Sequence, residues 1–192
     1  MKNKHPLYYI SNFIEDSNRD LLFDHILNTF DLKTDKYNFN GKIVESPRLI
    51  GFAADENISY NYSNNDHRSQ KYSIPMEGIA RKIEERLGLS KGYFNGCLIN
   101  YYRNGHDSIS YHKDNEPDMD RNTYIAVISL GAERIFYLKH DTDNIVKKIK
   151  LENGSLAIMT PLCQKEYKHA ILKEKNIEEP RISLTFRHFI NT

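Results

Sequence analysis

His112-Lys113-Asp114 is the single His-x-Asp of the sequence. On an extended strand, residues two apart point to the same side, so this pair can offer an imidazole and a carboxylate to one metal ion. Alone the pair says little: with 8 histidines in the chain, chance supplies about half a match, and its ordinary form is a solvated strand end. A second histidine changes the reading. His169 lies in Tyr167-Lys168-His169-Ala170, an expected strand roughly 55 residues downstream, far enough for several strands to intervene and return. Two imidazoles and one carboxylate on one face of an octahedral ion leave three positions open, as in non-haem iron oxygenases, and this donor set suits ferrous iron better than calcium. Arg181 and Arg187 add a second kind of chemistry. Their even spacing sends both guanidinium groups, with Ser183 and Thr185, to one face of a strand, and Ile182, Leu184 and Phe186 to the other. Guanidinium is the preferred partner of a carboxylate gripped at two points, so two of them beside a metal fit a dicarboxylate co-substrate. Asn100 and Tyr102, again two apart, could donate hydrogen bonds to the same ligand.

These side chains need a scaffold of strands. Residues 97–103 form an expected strand ending at Asn104-Gly105, a strong turn signal. Residues 124–130, 134–139, 145–151 and 155–159 read as further short strands, and 182–189 closes the chain with clear alternation. Asn40-Gly41, between residues 37–39 and 42–44, predicts another hairpin upstream. Two segments read as helices. Residues 17–30 bring Leu21, Leu22, Ile26, Leu27 and Phe30 near one face, with Asp16 or Ser17 as cap. Residues 75–87 open on Pro75, carry Ile79, Ile83 and Leu87 on a stripe and stop at Gly88. The pattern predicts an α+β chain, mainly β: an antiparallel sandwich or jelly roll with N-terminal helices packed outside.

The bulk numbers narrow the setting. The chain has 192 residues, 39% of them hydrophobic, which suits one domain, and a net charge of +1 rules out a wholesale basic surface. Cys97 and Cys163 form no CxxC, which argues against a disulfide scaffold or a structural zinc site. No apolar run approaches the roughly 20 residues of a membrane helix, and the first six residues have no signal-peptide core. A soluble, intracellular monomer without membrane contact is expected.

Asn100-x-Tyr102, Gly105, His112-x-Asp114-x-Glu116, Ser129-Leu130-Gly131, Gly154-Ser155-Leu156, His169 and Pro180-Arg181-x-x-Leu184-Thr185-Phe186-Arg187 stand in one order and spacing. Together, over about residues 47–189, they resemble the AlkB family of oxidative nucleic-acid dealkylases, most of all its duplex-DNA-acting members. The resemblance implies a double-stranded β-helix, with residues 1–75 as an N-terminal extension and nucleotide-recognition lid and 95–190 as the catalytic jelly roll. It implies iron(II) held by His112, Asp114 and His169, with 2-oxoglutarate and O2 as co-substrates. Arg181, helped by Tyr102, would take the distal carboxylate of 2-oxoglutarate, and Arg187 and Asn100 the end nearer the metal. Ser183 stands where the family commonly has Asn, a shorter hydrogen-bonding group on the same wall. The implied reaction hydroxylates an N-methyl carbon of alkylated DNA or RNA, and the product collapses with release of formaldehyde.

The same likeness extends to the substrate side. Pro47-Arg48 and Tyr60-Asn61-Tyr62-Ser63 resemble the recognition lid: Tyr62 would stack on a flipped base opposite the His112 ring, with Tyr60 and Ser63 bonding around it. Glu116 would approach the amino edge of the base. At the hairpin tip, Phe39 or Asn40 would fill the gap left by that base, while Lys33, Lys36, Lys42 and Arg48 would meet phosphates. Lys147-Lys148-x-Lys150 is a second basic cluster, a pattern that usually marks a solvated face. Two rivals stand beside this reading: the same oxygenase chemistry on a protein or small molecule, and a non-enzymatic nucleic-acid-binding module on the same scaffold.

Overall fold

The computed structural model describes residues 5–190 except 40, 56–57, 59, 63–64, 68, 115–117, 121 and 144, with backbone alone at 37–39, 60–62 and 65–67. The first half of the chain runs β1 (Leu7–Ile10), α1 (Asp16–Thr29), β2 (Lys33–Phe39), β3 (Lys42–Ala54), β4 (Tyr60–Tyr62), β5 (Asn65–His67), β6 (Gln70–Lys71) and α2 (Ile74–Leu87). The second half runs β7 (Gly96–Tyr102), β8 (Ile109–His112), β9 (Ile125–Gly131), β10 (Arg134–His140) and β11 (Val146–Leu151). It ends with β12 (Leu156–Met159), α3 (Pro161–Glu166), β13 (Tyr167–Ile171) and β14 (Arg181–Arg187).

The large sheet has the order β1-β12-β9-β14-β7-β3-β2, with β6 alongside β3; a four-stranded sheet has the order β11-β10-β13-β8. The expected jelly roll with helices outside is what forms. Strand alternation sorts the side chains into two cores. Ile50, Phe52, Leu98 and Val127 of the large sheet meet Phe136, Leu138, Leu151 and Ile171 of the small one. On the opposite face of the large sheet, Ile99, Ile128, Leu184 and Phe186 cover Leu22 and Ile26 of α1 and Ile79 and Ile83 of α2. The inner strands β7, β9 and β14 are therefore buried on both faces. Among the described residues no helix is long and apolar enough to cross a membrane.

The first 75 residues are less of an appendage than their description as an extension suggests. β1 pairs with β12 and β3 with β7, so the large sheet is completed by N-terminal strands. β2 and β3 form the predicted hairpin, with Phe39 opposite Lys42 and Gly41 at φ 80°, the left-handed geometry that a two-residue turn requires. Asn40 itself lies outside the described residues. α2 ends on Gly88 in the left-handed region, as its sequence predicts. α1 begins one residue earlier than expected: Glu15 occupies the cap position, and Asp16, inside the first turn, pairs with Arg19 at 2.7 Å. Leu21 is 70% exposed, because the buried stripe runs through Leu22, Ile26 and Phe30.

Candidate active site

The strand pairing brings the distant histidines together. His169 on β13 lies directly opposite His112 at the end of β8, and their ring centroids are 4.2 Å apart. Asp114 sits just past the end of β8 and completes a cluster whose candidate ligand atoms all lie within 4.8 Å of one another. Its Oδ1 is 3.6 Å from His112 Nε2 and its Oδ2 is 3.7 Å from His169 Nε2. His112 Nδ1 is fixed by the Ser110 carbonyl at 2.8 Å, which makes Nδ1 the protonated nitrogen and leaves the Nε2 lone pair for a ligand. The Phe136 ring stacks on His169 at 5.3 Å and limits its rotation.

Burial sets the protonation states. The His169 imidazole is pushed down to about 3 by burial and then by His112, against the pull of Asp114, so it is neutral at physiological pH. Burial works to raise the Asp114 carboxyl, but Arg187, His169 and His112 more than offset it and hold the group well below the usual carboxylate range. Arg187 Nη2 donates to Asp114 Oδ1 at 2.7 Å, whereas Asp114 Oδ2 is buried without a hydrogen-bond partner. A neutral His169, a second imidazole with its Nε2 turned to the cluster and an ionised, half-satisfied carboxylate fit a divalent ion such as iron(II).

The facing wall is cationic. Arg181, Ser183, Thr185 and Arg187 all line the cavity from β14, as their even spacing predicts, and Asn100 and Tyr102 line it from β7. Register places Arg181 opposite Tyr102 and Ser183 opposite Asn100. Arg181 Nη2 donates to Ser129 Oγ at 2.8 Å and its guanidinium lies 5.2 Å from the Tyr102 ring centre, yet Nε and Nη1 are buried without partners. Burial lowers this guanidinium to about 10, which still leaves it charged. Three arginines line the cavity and Asp114 is the one carboxylate among the described lining residues. Orphaned donors and excess positive charge are the complement of a dicarboxylate such as 2-oxoglutarate.

A family model for the 2OG-Fe(II) oxygenase superfamily matches residues 6–187. The chain belongs to this superfamily. Its members use iron(II), 2-oxoglutarate and O2, and the donor set and the unpartnered nitrogens of Arg181 suit the metal and the co-substrate. Within the superfamily the chain is a member of the AlkB family. It is 35% identical over 153 residues to Bos taurus "Alpha-ketoglutarate-dependent dioxygenase alkB homolog 3", covering 74% of this chain and 52% of that protein. It is 30% identical over 161 residues to Bos taurus "DNA oxidative demethylase ALKBH2", covering 79% of this chain and 56% of that one. The chain thus spans about half the length of these relatives. In fold it matches "The structure of OsALKBH1" with a TM-score of 0.70 at 13% identity, covering 95% of this chain and 98% of that one.

On the substrate side of this family member the sequence expectations fare unevenly. Arg48, expected at a phosphate, is 4% exposed and lines the cavity. The reason is alternation: it shares a strand face with Ile50 and Phe52, which point into the core between the sheets. Lys33 and Lys36 pair at the surface with Asp31 and Glu45, while Lys42 is exposed. Tyr60 and Tyr62 fall on β4, paired with β5, and Phe39 ends β2, but their side chains, like all of Ser63 and Glu116, lie outside the described residues. Ile43, 69% exposed beside the hairpin turn, is an apolar candidate the sequence reading passed over. In the second basic cluster Lys150 pairs with Glu133 at 2.5 Å and Lys148 lies 5.6 Å from the Tyr137 ring centre.

Arg134 was also missed. It is 1% exposed, donates to the Leu172 carbonyl at 2.7 Å and the Asp107 carbonyl at 3.0 Å, and pairs with Glu174 at 3.1 Å. Its guanidinium lies 5.7 Å from the Tyr102 ring centre, so Tyr102 is flanked by two cations. Gly105 belongs to the same construction: a Cβ there would stand 1.8 Å from the Glu174 carbonyl oxygen, so only glycine lets these loops meet behind the cavity.

Proposed function

We propose that this chain is an iron(II)- and 2-oxoglutarate-dependent oxygenase that removes N-methyl groups of the 1-methyladenine and 3-methylcytosine type from DNA or RNA. The observation that carries the reading is the cavity itself, with a His-Asp-His cluster on one wall and guanidinium groups on the other. The names of the relatives, one of them a DNA oxidative demethylase, supply the substrate class.

In this reading His112, Asp114 and His169 hold the iron, and Arg187 keeps Asp114 ionised and pointed. Arg181, steadied by Ser129 and Tyr102, grips the distal carboxylate of 2-oxoglutarate, and Ser183 adds a hydroxyl on the same wall. Asn100 and Arg187 serve the end nearer the metal. Bound iron with 2-oxoglutarate and O2 supplies the oxidising power that converts the N-methyl group to N-hydroxymethyl. Loss of formaldehyde from that group then restores the base. The residues around the metal contribute position and dryness, since the cavity floor is apolar, with Leu98, Val127, Phe136 and Ile171.

The target base must leave its stack to reach this cavity. Tyr62 and Tyr60 would receive it, with Ser63 and Glu116 at its edges. The hairpin would steady the nucleic acid through Lys42 and through an apolar side chain, Phe39 or the exposed Ile43.

The test combines iron(II), 2-oxoglutarate and oligonucleotides carrying 1-methyladenine or 3-methylcytosine, with succinate and formaldehyde measured together. Equal yields on the methylated strand are expected. Succinate without formaldehyde would keep the oxygenase and remove the substrate. Tyr62→Ala is expected to cut formaldehyde release while sparing 2-oxoglutarate decay.

A further inference from the structure

Arg48 is a buried cation that the roles above leave unused. Its Nε donates to Asn100 Oδ1 at 2.6 Å, its Nη2 is buried without a partner, and no carboxylate pairs with it among the described residues. Ser46 Oγ, donating to the Arg48 carbonyl at 2.7 Å, pins the strand beneath it. A buried charge with one neutral partner is costly unless an anion arrives, and at 4% exposure the side chain does not reach a phosphate outside the cavity.

The bond to Asn100 has a further consequence. A guanidinium N–H can only donate, so the Asn100 amide must turn its oxygen toward Arg48 and its NH2 away from it. Asn100 lines the cavity, so it meets a ligand there as a donor. Without Arg48 the amide could rotate and present its oxygen, which would repel a carboxylate. We infer that Arg48 is a positioning residue for the co-substrate: it locks the Asn100 amide as a donor toward 2-oxoglutarate and leaves the cavity short of negative charge until the dicarboxylate binds. The inference rests on the reading of this cavity as a 2-oxoglutarate site.

The experiment is calorimetric titration of the manganese(II)-loaded protein with 2-oxoglutarate, beside thermal unfolding without ligand. Arg48→Met is expected to weaken 2-oxoglutarate binding roughly ten- to hundredfold, while the ligand-free Tm holds or rises because a buried, uncompensated charge is gone. Asn100→Ala is expected to weaken binding by a similar factor, and the double variant by no more than the weaker single. Arg48→Lys keeps a charge but lacks the Nε geometry and should bind more like Arg48→Met than like wild type. Wild-type affinity in Arg48→Met, full rescue by lysine, or additive losses in the double variant would overturn the inference. So would a Tm that falls together with affinity, the mark of a merely structural residue. Failure of the wild type itself to bind 2-oxoglutarate would instead overturn the reading of the site, and the inference with it.

Discussion

The two sheets that face each other across the cavity are built for different tasks. The large sheet supplies Arg48, Asn100, Tyr102, Arg181, Ser183 and Arg187, mostly from strands with neighbours on both sides and buried on both faces. The small sheet supplies His169 from an inner strand, and its edge strand β8 supplies His112, whose side chain keeps 26% exposure, with Asp114 just beyond. The proposed anion clamp thus sits where the backbone is most constrained, which suits a ligand of fixed length held at both ends. The proposed metal cluster sits at an edge, which suits a centre that must admit oxygen and substrate. Geometry of the clamp is locked by the fold, whereas access is left to the rim.

Removing a metal ligand breaks the small-sheet side altogether. His169→Ala is expected to reduce succinate formation by roughly three orders of magnitude or more, with circular dichroism unchanged, and a chelator should do the same to the wild type. Retained turnover in that variant would remove His169 from the centre. Arg181→Lys tests the large-sheet side, since a point charge does not replace a planar fork. We expect the KM for 2-oxoglutarate to rise about tenfold with kcat changed far less, and an unchanged KM would dissolve the contrast between the sheets.

Acid should act on the small sheet first. His169 is held neutral with a folded value of about 3, against roughly 6.5 in the unfolded chain. Below pH 6.5 the unfolded state takes up a proton that the folded state refuses, so the metal-free protein loses stability as pH falls from there toward 3. The loss at pH 5 is expected to be about 2 kcal/mol, read by denaturant titration, and His169→Ala should flatten the slope. The smallest effect belongs to the outside of the small sheet. Lys147→Ser with Lys148→Ser should leave formaldehyde release within about twofold, and a larger drop would make that face part of the nucleic-acid path.

Much of this was legible in the sequence because side-chain alternation is local. The Arg181–Arg187 face, the helix bounded by Pro75 and Gly88, and the hairpin at Gly41 follow from spacing, imino-acid geometry and positive φ. The joining of His112 to His169 was readable only as a motif, since their register depends on strand pairing across the small sheet. β1 escaped notice because a four-residue strand has no pattern of its own and is defined by its partner β12. Arg48 and Arg134 were misplaced or missed for one shared reason. Each heads an alternation of apolar residues, Arg48 with Ile50 and Phe52 and Arg134 with Phe136 and Leu138, and that company signals an inward guanidinium. Reading charge without that alternation sends such residues to the surface.

β3 runs unbroken for 13 residues from the hairpin turn to Ala54, about 40 Å of extended chain. Lys42 and Ile43 lie at its exposed end and Arg48 and Ile50 at its buried end. From Leu49 to Ala54 the strand pairs with β7 without a slip, so an insertion of a single residue there would turn every later side chain to the opposite face. The irregularity of the hairpin lies on β3 itself: Thr34 and Lys36 face Leu49 and Glu45, so the stretch from Ser46 to Arg48 holds more residues than the strand opposite. Length variation among descendants of this hairpin should accumulate in the turn and at this bulge, while β3 from Leu49 to Ala54 keeps its length.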